Sequence, residues 1–349
     1  MKLHAFIRIV RSFRALRLAC CLGLPTAGLA ADSPVEIRLG TIAPTGTTYH
    51  RNLQEMGERW RKTTGGTVKL TIYPDGRQGG ESAMVRKMRA GQLNAAALSV
   101  VGLSEIDPSV CGLQLMPMMF RSWAEVDYVR EKIRPQLEGR LRDKGFVVLC
   151  WCDAGWVRYF SKEPAVHPDD YKRMKIFTWA GDPDQEQVMK RLGYKPVPLE
   201  TTDIHTGLQS GMINVVLTPP FFALAAQFDR STPHMLEMNW VPIVAAVVMK
   251  RETWAKLPPA SLKAIEQAAT EAGANIRAQS RQEDEKAVAA MKQRGLKTHP
   301  LTPETEAAWQ ALAERAYPMI RGKQVPADVF DEVRRLVAES RNSATTPAQ

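Results

Sequence analysis

The chain has 349 residues, 44% of them apolar and 24% charged, with a formal net charge of +10. These proportions exclude a disordered, collagen-like or coiled-coil chain, and the length suits two domains with a core each. The charge is no nucleic-acid signature. Five basic groups (Lys2, Arg8, Arg11, Arg14 and Arg17) lie in the acid-free segment 1–31, which leaves 42 basic against 37 acidic groups in the rest of the chain. A surplus that small, spread along the sequence, predicts no nucleic-acid partner.

The basic stretch to Arg17 precedes an apolar run, Leu18 to Leu29, and then the small residues Ala30 and Ala31. This order predicts a secretory signal peptide over 1–31, cleaved after Ala30 or Ala31 and leading to a soluble, periplasmic protein. The run is shorter than the ~20 residues that span a bilayer. Cys20 and Cys21 precede most of the run, which disfavours lipidation. Beyond the leader only Cys111, Cys150 and Cys152 remain. Cys150 and Cys152 would share one face of a strand. One of them could bridge Cys111, or all three could be buried small apolar residues.

Alternation of Val35, Ile37 and Leu39, and of Val68, Leu70 and Ile72, predicts two half-buried strands, with a helix through Leu53, Met56 and Trp60 between them. A second helix through Met84, Val85 and Met88 stops at Gly91, and Ala95–Val100 reads as a buried strand. Phe146–Trp151 and Lys175–Thr178 read as strands and Pro183–Leu192 as a helix closed by Gly193. A short helix from Thr202 or Asp203 to Ser210 leads into the strand Ile213–Leu217. The segment Gly91-Gln-Leu-Asn94 is echoed by Gly211-Met-Ile-Asn214, each a helix stop before an apolar run. From Pro259 the pattern is helical to Arg294, then through Ala307–Ala316 and Ala327–Glu339, with a polar tail from Ser340. The succession predicts an α/β fold.

Motifs for chemistry are missing. Gly76-Arg-Gln-Gly-Gly80 has neither dinucleotide-binding nor P-loop spacing, the histidines are scattered, and no zinc, HExxH or Gly-x-Ser-x-Gly pattern occurs. The sequence predicts no enzyme, cofactor or metal. Asp182-Pro-Asp184 lacks the remaining ligands of a calcium loop and suits a helix start, with Asp182 as cap and Pro183 first. In open α/β sheets ligands bind beyond the carboxyl ends of strands. That rule selects Thr45 and Thr48, Ser99, the stretch Phe177–Asp182 with Trp179, the stretch Thr218–Phe222 with Phe221, and Trp240 as candidate ligand contacts.

Several stretches, in order, resemble the solute-binding proteins of TRAP (tripartite ATP-independent periplasmic) transporters of the dicarboxylate type. They are Ile37-Arg-Leu-Gly-Thr41, Tyr73-Pro-Asp-Gly-Arg-Gln-Gly-Gly80, Met88-Arg-Ala-Gly-Gln-Leu-Asn94, Pro168-Asp-Asp-Tyr-Lys-Arg-Met-Lys-Ile176, and Val197-Pro-Leu-Glu-Thr-Thr-Asp203 through Leu208-Gln-Ser-Gly-Met-Ile-Asn214. The resemblance runs from about Ile37 to Ala316. It implies a two-lobed α/β clamshell with a helical C-terminal region, which captures a small organic solute and delivers it to membrane permease subunits. The lobes would be 32–154 with about 243–282, and 155–242 with about 283–340, followed by a disordered tail, 341–349. A ligand-sensing module or a periplasmic enzyme on the same scaffold are the alternatives.

One departure bears on the solute. Where most of this family has an Arg that grips a substrate carboxylate, this sequence has Phe177. Arg158 could supply the charge instead, or be a surface residue of its strand. Ile176 facing a core would turn Phe177 and Trp179 the other way, giving an aromatic-lined cleft for a ligand with apolar or stacking surface. Asp153 and Asp182 could read a hydroxyl or amine, although turn and cap roles also suit them. Thr218 stands where many relatives place a polar contact, and Phe221 or Phe222 would close the pocket.

Overall fold

The structure, a computed structural model, describes residues 34–345; the predicted leader over 1–31 lies outside them. In chain order the first half comprises β1 (Val35–Thr41), α1 (Thr48–Thr63), β2 (Val68–Tyr73), α2 (Glu81–Arg89), β3 (Ala95–Ser99), α3 (Val100–Ser104), α4 (Trp123–Asp143) and β4 (Phe146–Trp156). Then come β5 (Arg158–Ser161), β6 (Lys175–Trp179), α5 (Pro183–Arg191), β7 (Lys195–Leu199), α6 (Ile204–Gln209), β8 (Val215–Thr218), α7 (Pro220–Ala225) and β9 (His234–Glu237). The chain ends with β10 (Pro242–Lys250), α8 (Arg251–Trp254), the long α9 (Leu262–Gln293), β11 (Lys297–Pro300), α10 (Pro303–Ile320) and α11 (Ala327–Thr345).

The strands make two sheets and hence two lobes. The first has the order β2-β1-β3-β10-β4 and the second β11-β9-β5-β8-β6-β7. In the first, β1 lies parallel to both β2 and β3, while β10 runs antiparallel between β3 and β4. Both faces of that sheet are covered: Ala96, Leu98, Val244 and Ala246 face α2, α3 and α4, and Ala95, Ala97, Val247 and Met249 face α1 and α9. That explains the unbroken apolar runs of β3 and β10, since a strand buried on both faces has no polar side to show.

The echoed Gly/Asn segments do the same work in both sheets. Asn94 accepts the Arg38 N–H at 2.9 Å and Asn214 accepts the Lys175 N–H at 2.7 Å. The Arg38 guanidinium donates to the Gly91 carbonyl and the Lys175 ammonium to the Gly211 carbonyl. In each lobe, then, a helix stop is pinned to the neighbouring strand, at the middle of β1 and at the start of β6. Gly91 and Gly211 have φ of 75° and 70°, the left-handed conformation that glycine adopts at least cost.

The lobes are joined by two strand crossovers and by α9. Trp240 and Val157, one from each crossover, exchange backbone hydrogen bonds, Val157 N–H to the Val241 carbonyl and Trp240 N–H to the Val157 carbonyl. Helix α9 packs on α1 and β4 in the first lobe and on α7 in the second. Beside the crossover its face carries an ion network. Asp153, fully buried, meets Arg130 Nη1 at 3.1 Å and also Arg281, which itself pairs with Asp127 at 2.8 Å.

Several expectations are corrected. Residues 327–340 pack on α4 in the core of the first lobe, through Val329, Phe330, Val333 and Leu336, rather than joining the second. Residues 341–345 of the expected tail are helical instead: α11 continues to Thr345, and Arg341 pairs with Glu125 at 2.8 Å and donates to the Met119 carbonyl; residues 346–349 lie outside the described residues. The strand expected to end at Trp151 runs to Trp156, and Val100 opens a helix. Cys150 and Cys152 share a face, as expected, but all three described cysteines are free and buried. Cys111 lies in the opposite layer of the first lobe, too remote in the packing to bridge them.

Candidate functional site

Between the lobes lies a cleft enclosing a cavity of about 100 Å³, room for a small organic molecule. Its first wall comes from the carboxyl ends of β1 and β3, with Ile42, Ala43 and Pro44 beyond β1, Ser99, and the Tyr49 ring from α1. The opposite wall consists of Phe177 and Trp179 from β6, Thr218 and Pro219 after β8, and Phe221 and Phe222 on α7. Strand ends converge here because each strand is followed by a helix that turns back over its sheet. The rim is closely approximated: a Cβ placed on Gly80 would lie 2.7 Å from the Glu200 carboxylate, and one on Gly181 3.2 Å from Ser82 Oγ. Trp179 is held by its indole N–H, which donates to Thr201 Oγ1 at 2.8 Å, and Phe177 meets it edge-on with centroids 6.3 Å apart.

The ionisable group on the wall is Glu81, at the start of α2. Its carboxylate accepts the Ser99 N–H at 2.8 Å, the Ser99 hydroxyl at 2.6 Å and the Gly102 N–H at 2.9 Å. It thereby satisfies the free amides at the start of α3. Burial pushes the Glu81 carboxyl above its ordinary range, against the pull of those three donors. Among the described residues no Lys, Arg or His side chain lines this cleft. Glu81 was missed from the sequence, where it reads as an ordinary first-turn acid favoured by the helix dipole.

A second chamber of about 140 Å³ adjoins the cleft behind Phe177, Trp179 and Thr218. Trp240 lines it, edge-on to Tyr159 at 5.6 Å and to Trp309 at 5.5 Å. Gln114, Gln185 and Gln324 supply its amides, and Thr178 Oγ1 is buried there without a hydrogen-bond partner among the described residues.

Of the sequence-selected residues, Ser99, Phe177, Trp179, Thr218 and Phe221 therefore meet in one cleft, with Trp240 in the adjoining chamber. The remaining four are placed elsewhere. Thr45 donates its N–H and hydroxyl to Asp75, at 2.7 and 2.6 Å, and so ties two loops together. Thr48 is buried, and its hydroxyl donates to Glu283 on α9. Asp182 caps α5, accepting the Gln185 N–H at 2.9 Å, and Pro183 follows it as the first helical residue.

Arg158 shares the face of the second sheet that carries Phe177 but is not among the residues lining the cleft; it makes no ion pair among the described residues, and its Nε is buried without a hydrogen-bond partner. Its charge faces Asp284, Glu237 and Glu285, and burial lowers its pKa. Asp153 belongs to the buried ion network and reads no ligand. Trp151 and Trp156 pack in the first-lobe core, Trp156 against Trp123 with centroids 4.9 Å apart. Ile176 and Phe177 do face opposite ways, yet both sides are cores, and Phe177 reaches the cleft from the edge of one of them.

Residues 39–323 match the sequence profile of the DctP family, bacterial extracellular solute-binding protein, family 7. The chain belongs to this family. Among its relatives is the C4-dicarboxylate-binding periplasmic protein DctP of Rhodobacter capsulatus, 22% identical over 94% of this chain and 99% of that protein. Another is the 2,3-diketo-L-gulonate-binding periplasmic protein YiaO of Escherichia coli, 27% identical over 81% and 85%. The fold is that of TRAP periplasmic solute-binding proteins. The one from Sulfurospirillum deleyianum, solved with succinate, superposes with a TM-score of 0.80 at 23% identity, over 87% of this chain and 99% of that one. The sugar-acid-binding DctPAm of Advenella mimigardefordensis, solved with galactonate, gives 0.81 at 18% identity, over 88% and 99%. This member of the family is a solute-binding protein for transport.

Proposed function

We propose that the protein captures its solute in the cleft between the lobes, in the periplasm, and hands it unchanged to the membrane subunits of a TRAP-type permease. The observation that carries this reading is the composition of the cleft: strand ends of both sheets contribute its walls. A solute touching both walls stabilises the closed form over the open one, and only such differential contact shifts the balance. Ser99 would meet it from the first lobe, and Phe177, Trp179, Thr218 and Phe221 from the second. A larger solute would extend past Trp179 toward Trp240. The family's binding role and the leader-like segment 1–31 support capture over turnover.

The test is native mass spectrometry of the purified protein together with small-angle scattering before and after removal of any bound compound. Capture predicts a compound recovered chemically unchanged and a more open particle once it is removed. A compound converted during incubation would make the protein an enzyme. Trp179→Ala should weaken retention by about tenfold or more, since it removes a ring from the cleft wall.

A further inference from the structure

We infer that the cleft selects a ring-bearing solute whose polar end is a hydrogen-bond donor, an ammonium or a hydroxyl, and not a carboxylate. The inference rests on the capture reading above. The solved neighbours hold succinate, galactonate, orotic acid and β-D-galacturonate, all of them acids. A carboxylate taken out of water needs a cation or a set of N–H donors to replace its hydration. This cleft offers no cation. Among the described residues, its walls carry no basic side chain.

At the start of α3, Glu81 takes the Ser99 and Gly102 N–H groups and Ser99 Oγ takes that of Val101. Arg158, the remaining cation near this sheet face, does not line the cleft; it lies in the field of Glu237, Glu285 and Asp284, with its Nε buried and unpartnered among the described residues. Arg86 stands at the rim, in a depression that it shares with Gly80, Gly181 and two acids, Glu105 and Glu200.

What the cleft does offer has the opposite sign. Glu81 stands on the wall and at the mouth, and Glu200 stands at the mouth. An anion approaching Glu200 is repelled and a cation attracted, while Glu81, whose charge burial disfavours, adds acceptor oxygens to the wall. The rings of Phe177, Trp179, Phe221 and Tyr49 add apolar aromatic surface that suits a ring-bearing body. Glu81 Oε1 accepts one hydrogen bond, from Ser99 N–H, and so keeps a lone pair for a donor on the solute.

Matched probes on one ring body test this: phenylacetate, 2-phenylethanol and 2-phenylethylamine, with the indolyl and cyclohexyl counterparts, and succinate and gulonate as aliphatic acids. Binding is read by calorimetry on the purified protein freed of any carried compound. The amine or the alcohol should bind at least about tenfold tighter than the acid of the same ring. An amine tighter than its alcohol, with the gap reduced in Glu81→Gln, identifies the solute end as an ammonium. Equal binding identifies a hydroxyl-type donor. Phe177→Arg should raise affinity for the acids.

An acid that binds tightest within its ring series overturns the inference. So does binding of succinate or gulonate with silence from every ring compound, a result that leaves capture standing. Silence from all probes, combined with no compound carried by the protein on native mass spectrometry, overturns the capture reading as well.

Discussion

The carboxyl of Asp284 offers the sharpest test of the electrostatics at the junction of the lobes. It is buried on α9, where Oδ2 accepts the Trp156 N–H at 3.0 Å and Oδ1 the Phe221 N–H at 3.3 Å. One carboxylate thus ties the end of β4 to the start of α7, which carries a cleft wall. Burial pushes its pKa from an ordinary 3.8 up to about 7, against the two N–H donors and the Arg158 guanidinium, which pull it down. The folded protein therefore holds a proton here that the unfolded chain releases above about pH 4. Stability from this group is highest below that pH, falls as pH rises toward 7, and levels off above it.

The full span corresponds to about 4 kcal/mol, at about 1.4 kcal/mol per pH unit where the slope is steepest. Asp284→Asn removes the titration. It also sets its amide NH₂ against one of the two N–H groups, a pH-independent cost of about 1–3 kcal/mol. Urea unfolding at pH 5, 6, 7 and 8 separates the two effects. Wild-type stability minus variant stability should fall by roughly 1.4 kcal/mol from pH 5 to 6 and flatten toward pH 8. Parallel pH profiles, or a wild type that gains on the variant as pH rises, would refute the reasoning.

Other expectations follow from the same structure. Gly155 has φ of 87°, and a Cβ there would lie 2.3 Å from Asp284 Oδ2, so Gly155→Ala should cost more than about 2 kcal/mol in urea unfolding. Asp153→Ala removes the fully buried one of the two carboxylates that Arg130 and Arg281 share, leaving Asp127, and should cost about 3 kcal/mol. Arg130→Met should cost less, because Asp153 keeps Arg281. Trp309→Ala removes a fully buried ring that packs on Tyr159, Tyr171 and Trp240 and donates to the Val166 carbonyl at 2.8 Å; a loss of about 3–5 kcal/mol is expected by the same measurement. Cys111, Cys150 and Cys152 are buried, and burial pushes the Cys111 thiol up to about 12, so a thiol reagent should label these three only after unfolding.

The sequence was most informative where a local rule has one physical solution. The period-2 runs of β1 and β2 and the helical spacing of α1 and α2 are where they were expected. Asp182 and Pro183 start a helix, and the repeated Gly-x-x-Asn segments mark helix stops in both lobes. Glycine at a left-handed stop and a short polar side chain at a cap act within a few residues, so neighbours alone decide them. The rule about strand ends placed Ser99, Phe177, Trp179, Thr218 and Phe221 in one cleft for the same reason, because it depends only on strand direction.

What failed depends on distant partners. Thr45 and Thr48 also follow a strand, yet Asp75 and Glu283 claim their hydroxyls. Arg158 is a candidate cation by sequence, yet the packing leaves it buried off the cleft wall, in the field of acids on α9 and β9. Glu81 was invisible because its significance lies in Ser99 and Gly102, on another element. The amphipathic α11 shows an apolar stripe from sequence, but nothing in that stripe says whether α4 or the second lobe will cover it. By itself, then, the sequence determined the type and order of many elements, the α/β class and part of the cleft wall, since periodicity, caps and strand direction are local. Only the tertiary structure decided the charge of the cleft, because that sign depends on which ionisable groups find partners elsewhere and which remain at the wall.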